Sequence, residues 1–134
     1  MDSENTALNV LEIELLKQAA QAVPIINAHL PFLRVLNREK TGVGMYINFT
    51  YFQPPNEMPL IVPATRTLHS NFIVQMPPLK FGLSHEFVVE DGKIILLELV
   101  ANGEEWNGDI SDFVLIELTN WVRYPSPSKA DSLF

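Results

Sequence analysis

His85-Glu86-Phe87-Val88-Val89-Glu90, then Asp91-Gly92, then Lys93-Ile94-Ile95-Leu96-Leu97-Glu98-Leu99-Val100 is the most informative stretch of this chain. Two runs rich in β-branched and aromatic side chains flank Asp-Gly, a pair that tolerates the positive φ needed at both central positions of a type I′ turn. A two-residue turn sets the strand register. Counting back from it, Glu90 is expected to face Lys93, Val89 to face Ile94, Val88 Ile95, Phe87 Leu96, Glu86 Leu97 and His85 Glu98.

Outward from this hairpin the strand pattern continues on both sides. Val43, Met45, Ile47, Phe49 and Tyr51 alternate with Gly44, Tyr46, Asn48, Thr50 and Phe52, which predicts a half-buried strand. Residues 32–36 are expected to pair with it across a turn over 38–42. Residues 53–70 carry four prolines and read as an irregular crossing segment. Further strands are expected over 71–76 and 113–118. Ahead of them all, Leu8, Leu11, Leu15, Ala19 and Ala22 recur at three- and four-residue steps, the period of an amphipathic helix ending at Pro24. Ser3 or Asn5 is expected to cap it, with Asp2 and Glu4 at the positive end of its dipole. The prediction is an α+β domain, one N-terminal helix packed on an antiparallel sheet of about five or six strands. It is expected to span 1–124, with 125–134 a mobile tail broken by two prolines.

Composition narrows the function. The chain has 134 residues, 47% of them hydrophobic, enough for one real core. Nine Lys and Arg against 16 Asp and Glu give a net charge of −7, which disfavours nucleic acid and anionic membrane surfaces. The absence of cysteine excludes disulfides, thiolate nucleophiles and Cys-ligated metal. An acidic start without a basic, apolar leader and the lack of a spanning apolar run predict a cytoplasmic protein.

Three parts of the sequence resemble a family of small uncharacterised bacterial proteins. They are Arg38-Glu39-Lys40-Thr41-Gly42-Val43-Gly44-Met45-Tyr46, matching an Arg-Glu-x-Thr-Gly-x-Gly hairpin; the Asp-Gly hairpin from Phe87 to Glu98, ending in Leu-Glu; and a Trp-x-x-x-Ile-x-x-Phe-x-Leu close at Trp106, Ile110, Phe113 and Leu115. Met45 departs from the aromatic often found at its position. The resemblance spans about residues 8–118; it implies a fold and assigns no activity. Comparable small acidic families include toxin-neutralising immunity proteins.

Candidate chemistry is sparse. His85 and Glu98 share a face in the expected register, so a carboxylate could orient an imidazole as a base or as one side of a ligand pocket. We prefer a stabilising cross-strand pair, because no serine, cysteine or second histidine is placed to complete a catalytic constellation. His29, His69 and His85 are too far apart in sequence for a local zinc motif, and no cofactor or metal is expected. Glu104, Glu105, Asp109 and Asp112 put four carboxylates in nine residues without the ligand spacing of a calcium loop. Gly42 and Gly44 open a strand rather than a helix, which suits a turn and a bulge instead of a phosphate cradle. Arg34, Arg38 and Lys40 are read as structural ion-pairing residues. Trp106, set among the acidic residues, is either an anchor for a basic protein partner or a cap on the sheet; Trp121 and Tyr124 pose the same alternative.

Two functional expectations follow. The first is a non-enzymatic protein-binding domain of the toxin-neutralising kind, in which Glu104, Glu105, Trp106, Asp109 and Asp112 cover a basic site on another protein. The alternative is a small-molecule binder or minor enzyme with a pocket near His85 and Glu98. Pairing of two copies through a strand edge is a third expectation.

Overall fold

The structure, a computed structural model, describes residues 6–118. The suggested caps Ser3 and Asn5, the acidic residues Asp2 and Glu4, the boundary at 124, the tail 125–134, Trp121 and Tyr124 lie outside those residues.

One α-helix, α1 (Val10–Ala22), precedes two short 3₁₀ turns over Pro24–Ala28 and Leu30–Phe32. Seven strands follow: β1 (Leu33–Lys40), β2 (Gly44–Tyr51), β3 (Arg66–His69), β4 (Phe72–Gln75), β5 (Leu83–Glu90), β6 (Lys93–Ala101) and β7 (Val114–Glu117). They form one antiparallel sheet in the order β1-β2-β6-β5-β4-β7, with β3 also paired to β5. The fold is α+β, a helix on a sheet. No helix among the described residues is long and apolar enough to cross a membrane.

The helix begins one turn later than the acidic N-terminus suggests, because Asn9 supplies the cap. Its side chain accepts from the Glu12 amide at 2.8 Å, and the Glu12 carboxylate accepts from the Asn9 amide at 2.9 Å, closing a capping box. Leu11, Leu15, Leu16 and Ala20 then face the sheet and pack with Val35, Ile47, Phe87, Val89, Ile94 and Leu97 in one core.

Two bulges set which side chains face that core. On β1 the register passes from Val35↔Phe49 to Asn37↔Asn48, leaving Leu36 extra and exposed. The strand therefore runs on through Lys40, where a turn over 38–42 was expected, and Arg38 comes to lie opposite Ile47 on the helix side. On β6 the register passes from Val89↔Ile94 to Val88↔Leu96, so Ile95 is the extra residue. The Asp91-Gly92 turn forms as the sequence predicts, with φ of 53° and 77°. Beyond the bulge, however, every pair moves by one.

The proline-bearing stretch before residue 70 is not wholly irregular, since β3 lies within it. β3 and β4 share one edge of β5: β3 pairs from Arg66↔Val89 to His69↔Glu86, and β4 pairs at Val74↔Leu83. At His85 this edge passes from one short strand to the next. The chain turns away there through Ser70 and Asn71, and the sheet splits.

Candidate functional site

A cleft of about 480 Å³ lies at that split. Its floor is β5, with His85 and Phe87; one wall is β3 and the start of β4, with Arg66, Leu68 and Phe72; the other is the last two turns of α1. Ala19 and Ala22 present only methyl groups from the helix. Upstream on the same stripe, the larger Leu11 and Leu15 fill the equivalent space, so the cavity follows from small residues opposite a broken sheet edge.

His85 is the unusual group in this cleft. It is 9% exposed and packs edge-on against the Phe87 ring, with centroids 6.2 Å apart. Among the described residues its Nδ1 is the buried side-chain nitrogen or oxygen without a hydrogen-bond partner. Burial away from water lowers its pKa from the usual 6.5 to about 4, so the ring is neutral at pH 7. Neutral imidazole has one donor and one acceptor, and leaving such a group unpaired costs about 1–3 kcal/mol.

The pairing expected for His85 is corrected by the β6 bulge. His85 stands opposite Leu99, and Glu98 stands opposite Glu86 on the other face of the sheet. Glu98 does not line the cleft. The histidine that meets a carboxylate is His69, whose Nδ1 is 3.3 Å from Glu86 on that outer face.

His29 makes the contrast with His85 plain, although it too is fully buried. Its Nε2 is 2.7 Å from the Pro59 carbonyl, an acceptor only, so Nε2 carries the proton. Nδ1 accepts from the Tyr51 hydroxyl at 2.8 Å, and that hydroxyl oxygen accepts from the Ile94 amide at 2.9 Å. Both ring nitrogens of His29 and the Tyr51 hydroxyl are thus satisfied. Burial, the larger influence, raises the Tyr51 pKa to about 12, against the opposing effect of the Ile94 amide. Nothing local in the sequence marks these four groups as partners, since 22 residues separate His29 from Tyr51 and 43 separate Tyr51 from Ile94.

In the acidic loop, Trp106 takes the second of the two roles open to it. Trp106 is 5% exposed and belongs to the core; its amide donates to the Gly42 carbonyl and its indole Nε1 to the Asp109 carbonyl at 3.0 Å. It is the cap on the sheet, and not an exposed anchor, because burying an indole with its N–H paired removes a large apolar surface from water. Glu104 accepts from the Lys80 and Phe81 amides at 3.1 and 2.8 Å, tying the loop to the chain before β5. Glu105, Asp109 and Asp112 remain exposed. No group of three or more His, Asp or Glu among the described residues is arranged to hold a metal ion.

Two of the basic residues near the first hairpin, Arg38 and Arg34, have structural partners. Arg38 pairs with Glu12, while Arg34 donates to the Pro31 and Leu33 carbonyls and lies 5.3 Å from the centre of the Phe52 ring. Gly44 allows close strand approach, since a Cβ there would collide with the Leu99 carbonyl oxygen.

Comparison with family models, with curated proteins and with solved structures found no match. The reading of the cleft therefore rests on this chain's own residues.

Proposed function

We propose that this protein is a non-enzymatic binder of a small, largely apolar molecule, held in the cleft at His85. The observation that carries this reading is a buried, neutral histidine with an unpaired Nδ1 on the floor of a mostly apolar cleft. Concave apolar sites with a few polar groups are the usual form of small-molecule sites. Turnover is not part of the proposal: Glu98 is on the opposite face, and the Ser70 hydroxyl beside the cleft accepts from the Phe72 amide without a base bonded to it. The protein-binding reading, including toxin neutralisation, loses its aromatic anchor with the burial of Trp106 and keeps only the acidic balance and the exposed Glu105, Asp109 and Asp112.

The test is a ligand-observed NMR screen of small amphipathic molecules against the native protein and Ala22→Trp. Ala22 is exposed on α1, so the indole fills the cleft with little disturbance of the core. Binders that perturb the His85 ring resonances and are lost in Ala22→Trp support the proposal. Binding that is indifferent to Ala22→Trp, or no binder that moves His85, overturns it.

A further inference from the structure

The cleft has a polarity that narrows its ligand. In a chain of net charge −7, its lining includes no Asp or Glu. Arg66 is the one permanently charged side chain there, and it has no carboxylate partner among the described residues. One Nη1 donates to the Val62 carbonyl at 2.9 Å, which steadies the side chain and leaves most of the guanidinium's five donors for another acceptor. Strand alternation puts Arg66 on the same side of β3 as Leu68, which is buried opposite Phe87. Both are therefore on the helix-facing side with His85.

Register gives the distance between the two polar ends. Arg66 stands opposite Val89, four residues along β5 from His85, or about 13 Å at the rise of an extended strand. Between the two ends the lining is mixed: Ala19, Ala22, Leu68 and Phe72 are apolar, while Ser70 and Asn71 are among its polar members.

We infer that the cleft takes an amphipathic monocarboxylate of medium length, its carboxylate on Arg66, its apolar body between α1 and β3, and its far end at the His85 ring. A guanidinium offers a carboxylate two parallel hydrogen bonds, which a neutral headgroup cannot match. A hydroxyl or carbonyl at the far end would additionally pair with the imidazole. The inference rests on the small-molecule reading above and adds the chemical class.

The experiment titrates labelled native protein with octanoate, octanol and octylamine, following His85 and Arg66 side-chain resonances by NMR. Octanoate is expected to bind about tenfold more tightly than octanol, the worth of one charge-assisted contact. Arg66→Gln should remove that advantage while leaving octanol unchanged, and Arg66→Lys should keep part of it. If octanol equals octanoate, or if Arg66→Gln is without effect on octanoate, the carboxylate class is wrong while a His85 response still supports a pocket. If none of the three probes moves His85, both the class and the pocket reading fall.

Discussion

Arg38 holds the Glu12 carboxylate at both oxygens, Nε to Oε2 and Nη2 to Oε1, each at 2.8 Å, although 26 residues separate the two. Glu12 is 1% exposed, so this is a helix-to-sheet ion pair largely withdrawn from water. The same carboxylate accepts from the Asn9 amide, and Arg38 Nη2 also donates to the Ala7 carbonyl. The pairing raises the pKa of Arg38 through its hydrogen bond to Glu12. One arginine therefore ties the start of α1 to the bulged strand β1.

Removing only one member of such a pair strands a buried charge, at a cost of about 3–5 kcal/mol. Arg38→Met should lower stability by that order in urea unfolding at pH 7. Arg38→Met with Glu12→Met should recover much of the loss, because no buried charge remains. A double variant no more stable than Arg38→Met would show that the site depends on the pair's geometry rather than on charge burial.

Tyr51→Phe tests the His29 chain. It deletes one oxygen yet leaves two groups unpaired, His29 Nδ1 and the Ile94 amide. The expected loss is about 2–6 kcal/mol, from two unsatisfied buried groups. The native phenol should also resist ionisation until about pH 12, when unfolded tyrosine titrates near 10. Because the folded pKa is the higher one, this group's stabilisation is complete below pH 10 and is lost as pH rises from 10 towards 12. Ultraviolet titration of the native protein should thus show a late phase from Tyr51, and Tyr51→Phe should remove it.

How far the sequence shows this fold depends on where its pattern carries phase. Asp91-Gly92 names its own turn, and the strand alternation of Met45, Ile47 and Phe49 gives one buried face, so both are legible. Ile94-Ile95-Leu96-Leu97 is apolar throughout and contains no alternation that could reveal an extra residue. The slip at Ile95 is therefore silent, and it is what separates His85 from Glu98. On β1 the bulge at Leu36 is equally silent, although it turns Arg38 towards Glu12. Asn9 and Glu12 do have capping-box spacing, but the earlier Ser3 and Asn5 compete with them as caps. The cleft was legible only in part: His85 is visible as a candidate, whereas Arg66 lies in a segment whose prolines hide the short strand that places it.

Trp106→Ala should damage the fold itself. Emptying a buried indole site costs about 3–5 kcal/mol, a large share of a typical domain's stability. Trp106→Phe keeps most of the volume but loses the bond to the Asp109 carbonyl, so a smaller loss is expected, on the order of 1–2 kcal/mol. Chemical unfolding of both variants measures the difference. Unchanged stability in Trp106→Ala would contradict its place in the core.

His85 should make the native protein acid-sensitive in a way that one substitution removes. Its imidazole titrates near 6.5 in the unfolded chain and near 4 in the folded one. Between these values the unfolded state binds a proton that the folded state rejects, so stability is complete above about pH 6.5 and falls as pH drops towards 4. The loss is on the order of 3 kcal/mol. His85→Leu, which replaces an unpaired ring by an apolar side chain of the same cavity wall, should equal or exceed the native stability at pH 7. Its unfolding free energy should also fall less between pH 6.5 and 4.5 than that of the native protein. The same variant should lose the polar contact at the inner end of the cleft. A site kept for binding would then appear as a protein made more stable and less able to hold its ligand, whereas a histidine serving the fold would give the opposite sign at pH 7.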